Sequence, residues 1–278
     1  MIILYYEWKR YWKAAIKTAV LCALLILMAI PFLPFVQEPN LIGELRSALD
    51  MFPDIVLSFF GLHAQQSFLN PTRYVSFVFI FIYAIGGLFA AWLGGRCFSK
   101  ERADGTIDFL LQKPLHRWQI MLYKIVANLF AMITFLFVFC ALYRGVIKLY
   151  SLFKLPVTPQ TVPIVSLLVS LFALMTLLFS VSVLFSVLIP TDKIAVPVTL
   201  VLTVLFYVFY AASFTDSSLS AFASFSPFSY MQAQTIAQGE SGPLLPFFGL
   251  SLLFLAAGFA LLYNHDIRKK LPRKFLNR

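Results

Sequence analysis

The stretch Tyr74-Val75-Ser76-Phe77-Val78-Phe79-Ile80-Phe81-Ile82-Tyr83-Ala84-Ile85-Gly86-Gly87-Leu88-Phe89-Ala90-Ala91-Trp92-Leu93-Gly94-Gly95 decides the fold. It contains no Asp, Glu, Lys, Arg or His. A bilayer core about 30 Å thick is crossed by about 20 helical residues, and a charge-free run of that length reads as a transmembrane helix. Five more such runs occur: Thr18–Gln37, Ile125–Tyr143, Leu155–Thr191, Ile194–Thr215 and Ser241–Asn264. The chain therefore reads as an all-α membrane protein, one transmembrane domain over residues 1–278. Its six transmembrane helices fall at about 18–37, 74–95, 125–143, 164–189, 194–215 and 244–264.

Composition agrees. With 60% hydrophobic residues, 12% charged and 31 Phe, the chain has more apolar surface than a soluble fold can bury. Spans and loops consume its length, so no soluble catalytic domain is expected. Pumps and proton-coupled carriers keep ionisable groups inside the membrane as relays. These runs have none, so the driving energy is expected to enter from outside the bilayer. Cys22, Cys97 and Cys140 lie in or at the edge of spans and have neither disulfide nor metal spacing. His63 stands alone in a loop, so no metal site is expected, and no catalytic residue either. The N-terminus is not a cleavable signal: its basic stretch is full of Tyr and Trp, and Pro31 and Pro34 replace a small-residue cleavage site.

Loop charge sets the expected orientation. Of the 22 Lys and Arg residues, all but Arg46, Arg73, Arg144, Lys148 and Lys154 fall on the side of the two termini. Positive charge marks the cytoplasmic face, so both termini are expected there, with the protein multi-pass in the plasma membrane. The net charge of +10 can then meet anionic lipid headgroups. A nucleic-acid partner is not expected, since no soluble basic domain would carry it.

Residues 4–17 are amphipathic at helical spacing. Leu4, Tyr5, Trp8, Tyr11, Trp12, Ala15 and Ile16 share one side, and Glu7, Lys9, Arg10, Lys13 and Lys17 the other. This pattern predicts an interfacial helix anchored by Tyr5, Trp8, Tyr11 and Trp12; a plain extension of span one is the simpler alternative. On span two, Gly86–Ala90–Gly94 and Gly87–Ala91–Gly95 form two small-residue rows that let another helix approach closely, within the monomer or in a second subunit. Span four offers Ser166, Ser170, Thr176, Ser180, Ser182 and Ser186, which can line a polar path or bond their own carbonyls. Pro197 should kink span five. The outer connections are 38–73, with room for short surface helices, and 216–242, rich in Phe and Ser. The latter either packs on the outer ends of the spans or dips into the leaflet as a re-entrant helical pair.

The loop 99–117 holds the residues expected to carry function. Gly105 permits a sharp turn, Thr106 can cap a helix, and Asp108 suits the first turn of one. Ile107, Leu110 and Leu111 then make a one-turn apolar face before Pro114 ends it. Such a helix can be gripped by a soluble partner or lie on headgroups.

The pattern Glu101, Gly105-Thr106, Leu110-Leu111, Pro114, Arg117 and Lys124 after the second span resembles the coupling loop of permease subunits of type-2 ATP-binding-cassette (ABC) exporters. The resemblance extends over essentially the whole chain, including Leu49-Asp50-Met51-Phe52-Pro53 in the first outer loop and Ser226-Pro227-Phe228-Ser229-Tyr230 in the last. Two departures are His116, where a small hydroxyl residue is usual, and Lys100, where a second acid is frequent. The resemblance implies that Glu101, Gly105, Thr106, Ile107, Leu110, Leu111, Pro114 and Arg117 form the element coupling the permease to its ATPase. It implies short outer re-entrant helices that include Ser226, Pro227, Phe228 and Tyr230. It further implies a working unit of two ATPase copies and two permeases, the second the same or related. ATP and Mg would then sit on the partner, with no cofactor in this chain.

No Gly-x-x-x-x-Gly-Lys-Ser/Thr loop is present, which fits a transport subunit rather than an enzyme. An intramembrane enzyme would need paired acids or a Ser–His set within the spans. A secondary carrier without an ATPase would need intramembrane ion ligands, although hydroxyls and carbonyls could supply a sodium site. Phe-rich walls without fixed charge suit a hydrophobic or amphipathic cargo moved out of the cytoplasm; they also suit plain contact with lipid.

Overall fold

A computed structural model describes residues 2–32, 71–105, 117–152, 163–213, 220–239 and 242–264. Among them there is no strand. The helices are α1 (Ile2–Ala29, ending in a 3-10 turn Ile30–Phe32), α2 (Pro71–Arg96), α3 (Ser99–Ala103), α4 (Arg117–Leu152), α5 (Ile164–Leu188) and α6 (Asp192–Ala212). Three short helices follow, α7 (Ser220–Ala223), α8 (Pro227–Tyr230) and α9 (Ala233–Ala237), and then α10 (Leu244–Asn264). Among the described residues, six helices are long and apolar enough to cross a membrane: Leu4–Phe32, Tyr74–Arg96, Trp118–Leu152, Ile164–Leu188, Asp192–Ala212 and Leu244–Leu262.

Two elements differ from the reading of the sequence. The N-terminal arm and span one are one unbroken helix rather than an interfacial helix followed by a span. The reason is local: from Ile2 to Ala29 there is neither Gly nor Pro to end it. The third span is likewise longer than its charge-free core. Its 36 residues run from Arg117 through Lys124 to Leu152, about 54 Å of helix against a 30 Å apolar core. Span five continues as a helix through Pro197.

The long helices fall into two groups. In one, α1 lies along α4; in the other, α2, α5, α6 and α10 pack together. The second group is close-packed through the small-residue rows of α2. A Cβ added at Gly94 would stand 2.6 Å from the Phe179 carbonyl oxygen, and one at Gly95 would stand 2.6 Å from Thr199 Oγ1. Ala90 and Ala91 are fully buried. Both rows are thus occupied by α5 and α6 of the same chain and are not open to a second permease. In α5, Ser170, Thr176, Ser180 and Ser182 bond carbonyls three or four residues back in their own helix.

Where α2 meets α1 and α4, aromatic rings make much of the contact between the groups. Phe79 of α2 meets Phe139 and Tyr143 of α4 with ring centroids 6.0 Å apart. Phe89 meets Phe135 at 5.7 Å, and Tyr11 of α1 stands edge-on to Trp92 at 5.7 Å. Near the other end of α1, Tyr74 donates to the Ala29 carbonyl at 2.9 Å.

Candidate functional site

The end of α2 is a helix terminus that must satisfy its own backbone groups. After Arg96 the chain turns at Cys97 and Phe98 and begins α3. No side chain of α3 itself caps its start. Instead Ser186, in the last turn of α5, accepts the N–H groups of Phe98 (2.8 Å) and Ser99 (3.0 Å). Ser99 Oγ in turn donates to the Gly95 carbonyl at 2.5 Å. The exchange is reciprocal. The Arg102 guanidinium donates to the carbonyls of Val187 (2.9 Å) and Ser186, where α5 ends and its own carbonyls need partners. Two planar donors reaching two adjacent carbonyls is a task that suits Arg and not Lys.

Glu101, next in sequence, faces the other way. Its carboxylate accepts from Lys124 of α4, and the same ammonium reaches Glu7 of α1 at 3.3 Å and the Cys97 carbonyl at 3.2 Å. An ammonium has three protons to give; here each goes to a different segment. Lys124 is 3% exposed and Glu101 7%, so this is a buried ion cluster and not a surface bridge. Asn128, one turn on, donates to the Lys124 carbonyl at 2.9 Å. Burial pushes the Glu101 carboxyl above the ordinary carboxylate range, against the pull of Lys124, and nearby Glu7 pushes it further. One cation shared by two acids does not offset the lost hydration of both. Outside the cluster, Arg10 lies 3.9 Å from the half-exposed Asp104, a contact of small energetic weight.

Gly105 closes α3 with φ +68, the left-handed conformation that glycine adopts without strain, and nothing stands within 4 Å of where its Cβ would be. Thr106, Ile107, Leu110, Leu111 and Pro114 lie outside the described residues, as does the side chain of Arg117 at the start of α4. Of the expected coupling residues, Glu101 and Gly105 are therefore placed. The sequence did not single out Arg102, placed Glu7 only on the polar side of the arm and Ser186 only among the hydroxyls of span four, and named Lys124 in the loop pattern without a partner.

The four aromatic anchors are not alike. Tyr5 is half exposed, but Tyr11 is 3% exposed and packed on α2, so it cannot be a lipid anchor. Trp8 donates its indole N–H to Thr134 Oγ1 of α4 at 3.2 Å, and Trp12 lies against Trp8. At the far end, Ser226 donates to the Phe206 carbonyl (2.6 Å) and Tyr230 to that of Ser224 (3.2 Å). Pro227 opens α8. Phe228 is buried edge-on against Tyr207, 3.3 Å from where a Cβ on Gly87 would be. From Tyr74 to Gly87 is about 20 Å of helix, so α8 touches α2 well below its first turn.

A family model described as ABC-2 family transporter protein matches residues 4–262. The chain belongs to this family. It is a membrane permease of an ABC-type transporter, and the family's transmembrane subunits carry no ATP site of their own and associate with an ABC ATPase. No curated protein and no solved structure matches it.

Proposed function

We propose that the permease exports a hydrophobic or amphipathic substrate across the plasma membrane, driven by ATP and Mg bound on two copies of a separate ATPase. In this reading both termini are cytoplasmic and two permeases, identical or related, form the pathway. The helix Ile107–Lys113 docks on the ATPase through Leu110 and Leu111, and α7–α9 form the outer re-entrant segment. The observation that carries the reading is the anchored turn. Glu101 and Arg102 hold α3 to different helices while Gly105 releases the chain toward residues 106–116. A segment launched from so fixed a base can pass force to the spans. The depth of Phe228 beside Gly87 favours re-entry over packing on the outer ends of the spans.

Burying two leucines at a docking surface contributes about 1.5–3 kcal/mol each, and each 1.4 kcal/mol is about tenfold in affinity. The double change Leu110→Asp, Leu111→Asp should leave the six helices inserted while abolishing co-purification of the ATPase and export. A folded variant that keeps its ATPase at the wild-type level and still transports would refute the docking role.

A further inference from the structure

The two helix groups meet in two different ways, and α3 sits where they part. Within the second group the backbones of α2 and α5 approach so closely that Gly94 has no room for a methyl group. Such an interface cannot slide without collision. Between the groups, rings of Phe, Tyr and Trp hold the helices further apart. Packed surfaces of this kind shift by small rigid displacements and do not deform continuously. The helix α3 has five residues, and two neighbours in it point to opposite sides of this seam. Glu101 is held by Lys124 and so to the α1–α4 pair, in which Glu7 shares the ammonium. Arg102 is held by the terminal carbonyls of α5.

We propose that α3 is a rocker. Glu101 and Arg102 act as positioning residues that pass movement of the segment after Gly105 to the α1–α4 pair on one side and to α5 on the other, so that the two groups move against each other along the aromatic seam. The proposal rests on the reading of this chain as an ATP-driven permease, and it goes beyond docking by naming which helices move together. The charges matter because the joint must hold while it moves: an ammonium with one acceptor from each of three segments keeps a partner through a small rotation of any one of them.

The test uses spin-label distances in the full complex with its ATPase, in a Cys140→Ala background, because Cys22 and Cys97 are buried. The label sites Met28, Leu152, Val165 and Leu245 are all exposed. Between the nucleotide-free and ATP-bound states, the pair Leu152→Cys/Val165→Cys, which spans the seam, should change by about 2 Å or more. Met28→Cys/Leu152→Cys within the first group and Val165→Cys/Leu245→Cys within the second should not. The neutral triple variant Glu7→Gln, Glu101→Gln, Lys124→Met should retain its ATPase and hydrolysis but lose the change across the seam. A change within either group, or a triple variant that moves like the wild type, overturns the proposal. If the triple variant does not fold, the wild-type distances decide alone. A wild-type chain that binds no ATPase overturns both this proposal and the reading beneath it, whereas an assembled, hydrolysing complex with the wrong distances overturns this one only.

Discussion

Gly94→Ala places one methyl group where α2 touches α5. The added Cβ would stand 2.6 Å from the Phe179 carbonyl oxygen, 2.6 Å from Ser182 Cβ and 3.1 Å from Val183 N, whereas ordinary contact starts at 3.4 Å. Two of these three are backbone atoms, so no side chain can swing aside. The helices must part by about 0.8 Å, and overpacking of this kind costs about 1–3 kcal/mol. Against it stands the helix-propensity gain of Gly to Ala, about 0.8–1.0 kcal/mol. Gly145→Ala in α4 and Gly249→Ala in α10 isolate the steric part, because nothing lies within 4 Å of either new methyl and both receive the same propensity gain. The difference between Gly94→Ala and these controls should therefore be about 1–3 kcal/mol, or about 5- to 150-fold in the unfolding equilibrium. Unfolding in detergent, followed by loss of the monodisperse peak with temperature or denaturant, measures it. If Gly94→Ala unfolds like Gly145→Ala, the close approach is not as described. If it changes only the oligomeric state, the small-residue rows serve a second subunit after all.

Lys124→Met should destabilise the fold by about 3–5 kcal/mol, since it leaves the buried Glu101 and the partly buried Glu7 without their shared cation; adding Glu7→Gln and Glu101→Gln should recover most of that loss, and a single variant as stable as wild type would rule out the buried cluster. Glu101→Gln should remove a pH dependence. Because the folded-state pKa is raised, the wild type binds its proton more tightly folded than unfolded. Stability present below the ordinary value of about 4.3 is therefore lost as pH climbs through the raised value. The Gln variant should lack that slope, and an unchanged slope in a pH series of unfolding midpoints would place the titration elsewhere. For orientation, a Cys at half-exposed Asp104 should react with an impermeant reagent only after permeabilisation, and one at exposed Phe225 in intact cells; the reverse pattern would invert the topology.

Much of the fold was legible because a bilayer asks one simple thing of a sequence, length without charge, and six stretches supplied it. What the sequence left open has physical reasons. Charge marks where apolar chain ends, but helix formation does not heed the bilayer edge, so α4 runs on through Lys124 at one end and Arg144 and Lys148 at the other. An amphipathic pattern shows which side of a helix seeks apolar surroundings without saying whether lipid or protein provides them. Tyr11 reads like Tyr5 in the sequence, yet one is packed against Trp92 and the other half exposed. The small-residue rows announced a close neighbour without naming α5 and α6. Least legible was the cluster around Lys124, whose partners come from positions 7, 97 and 101, because no local periodicity links segments so far apart in the chain. One residue did carry a trace of it. Glu7 is the only acid on the polar side of an otherwise basic arm, and on a surface meant only for anionic headgroups an acid weakens binding. Its place is explained by a buried cation, and such a cation must lie on a neighbouring element that the arm packs against.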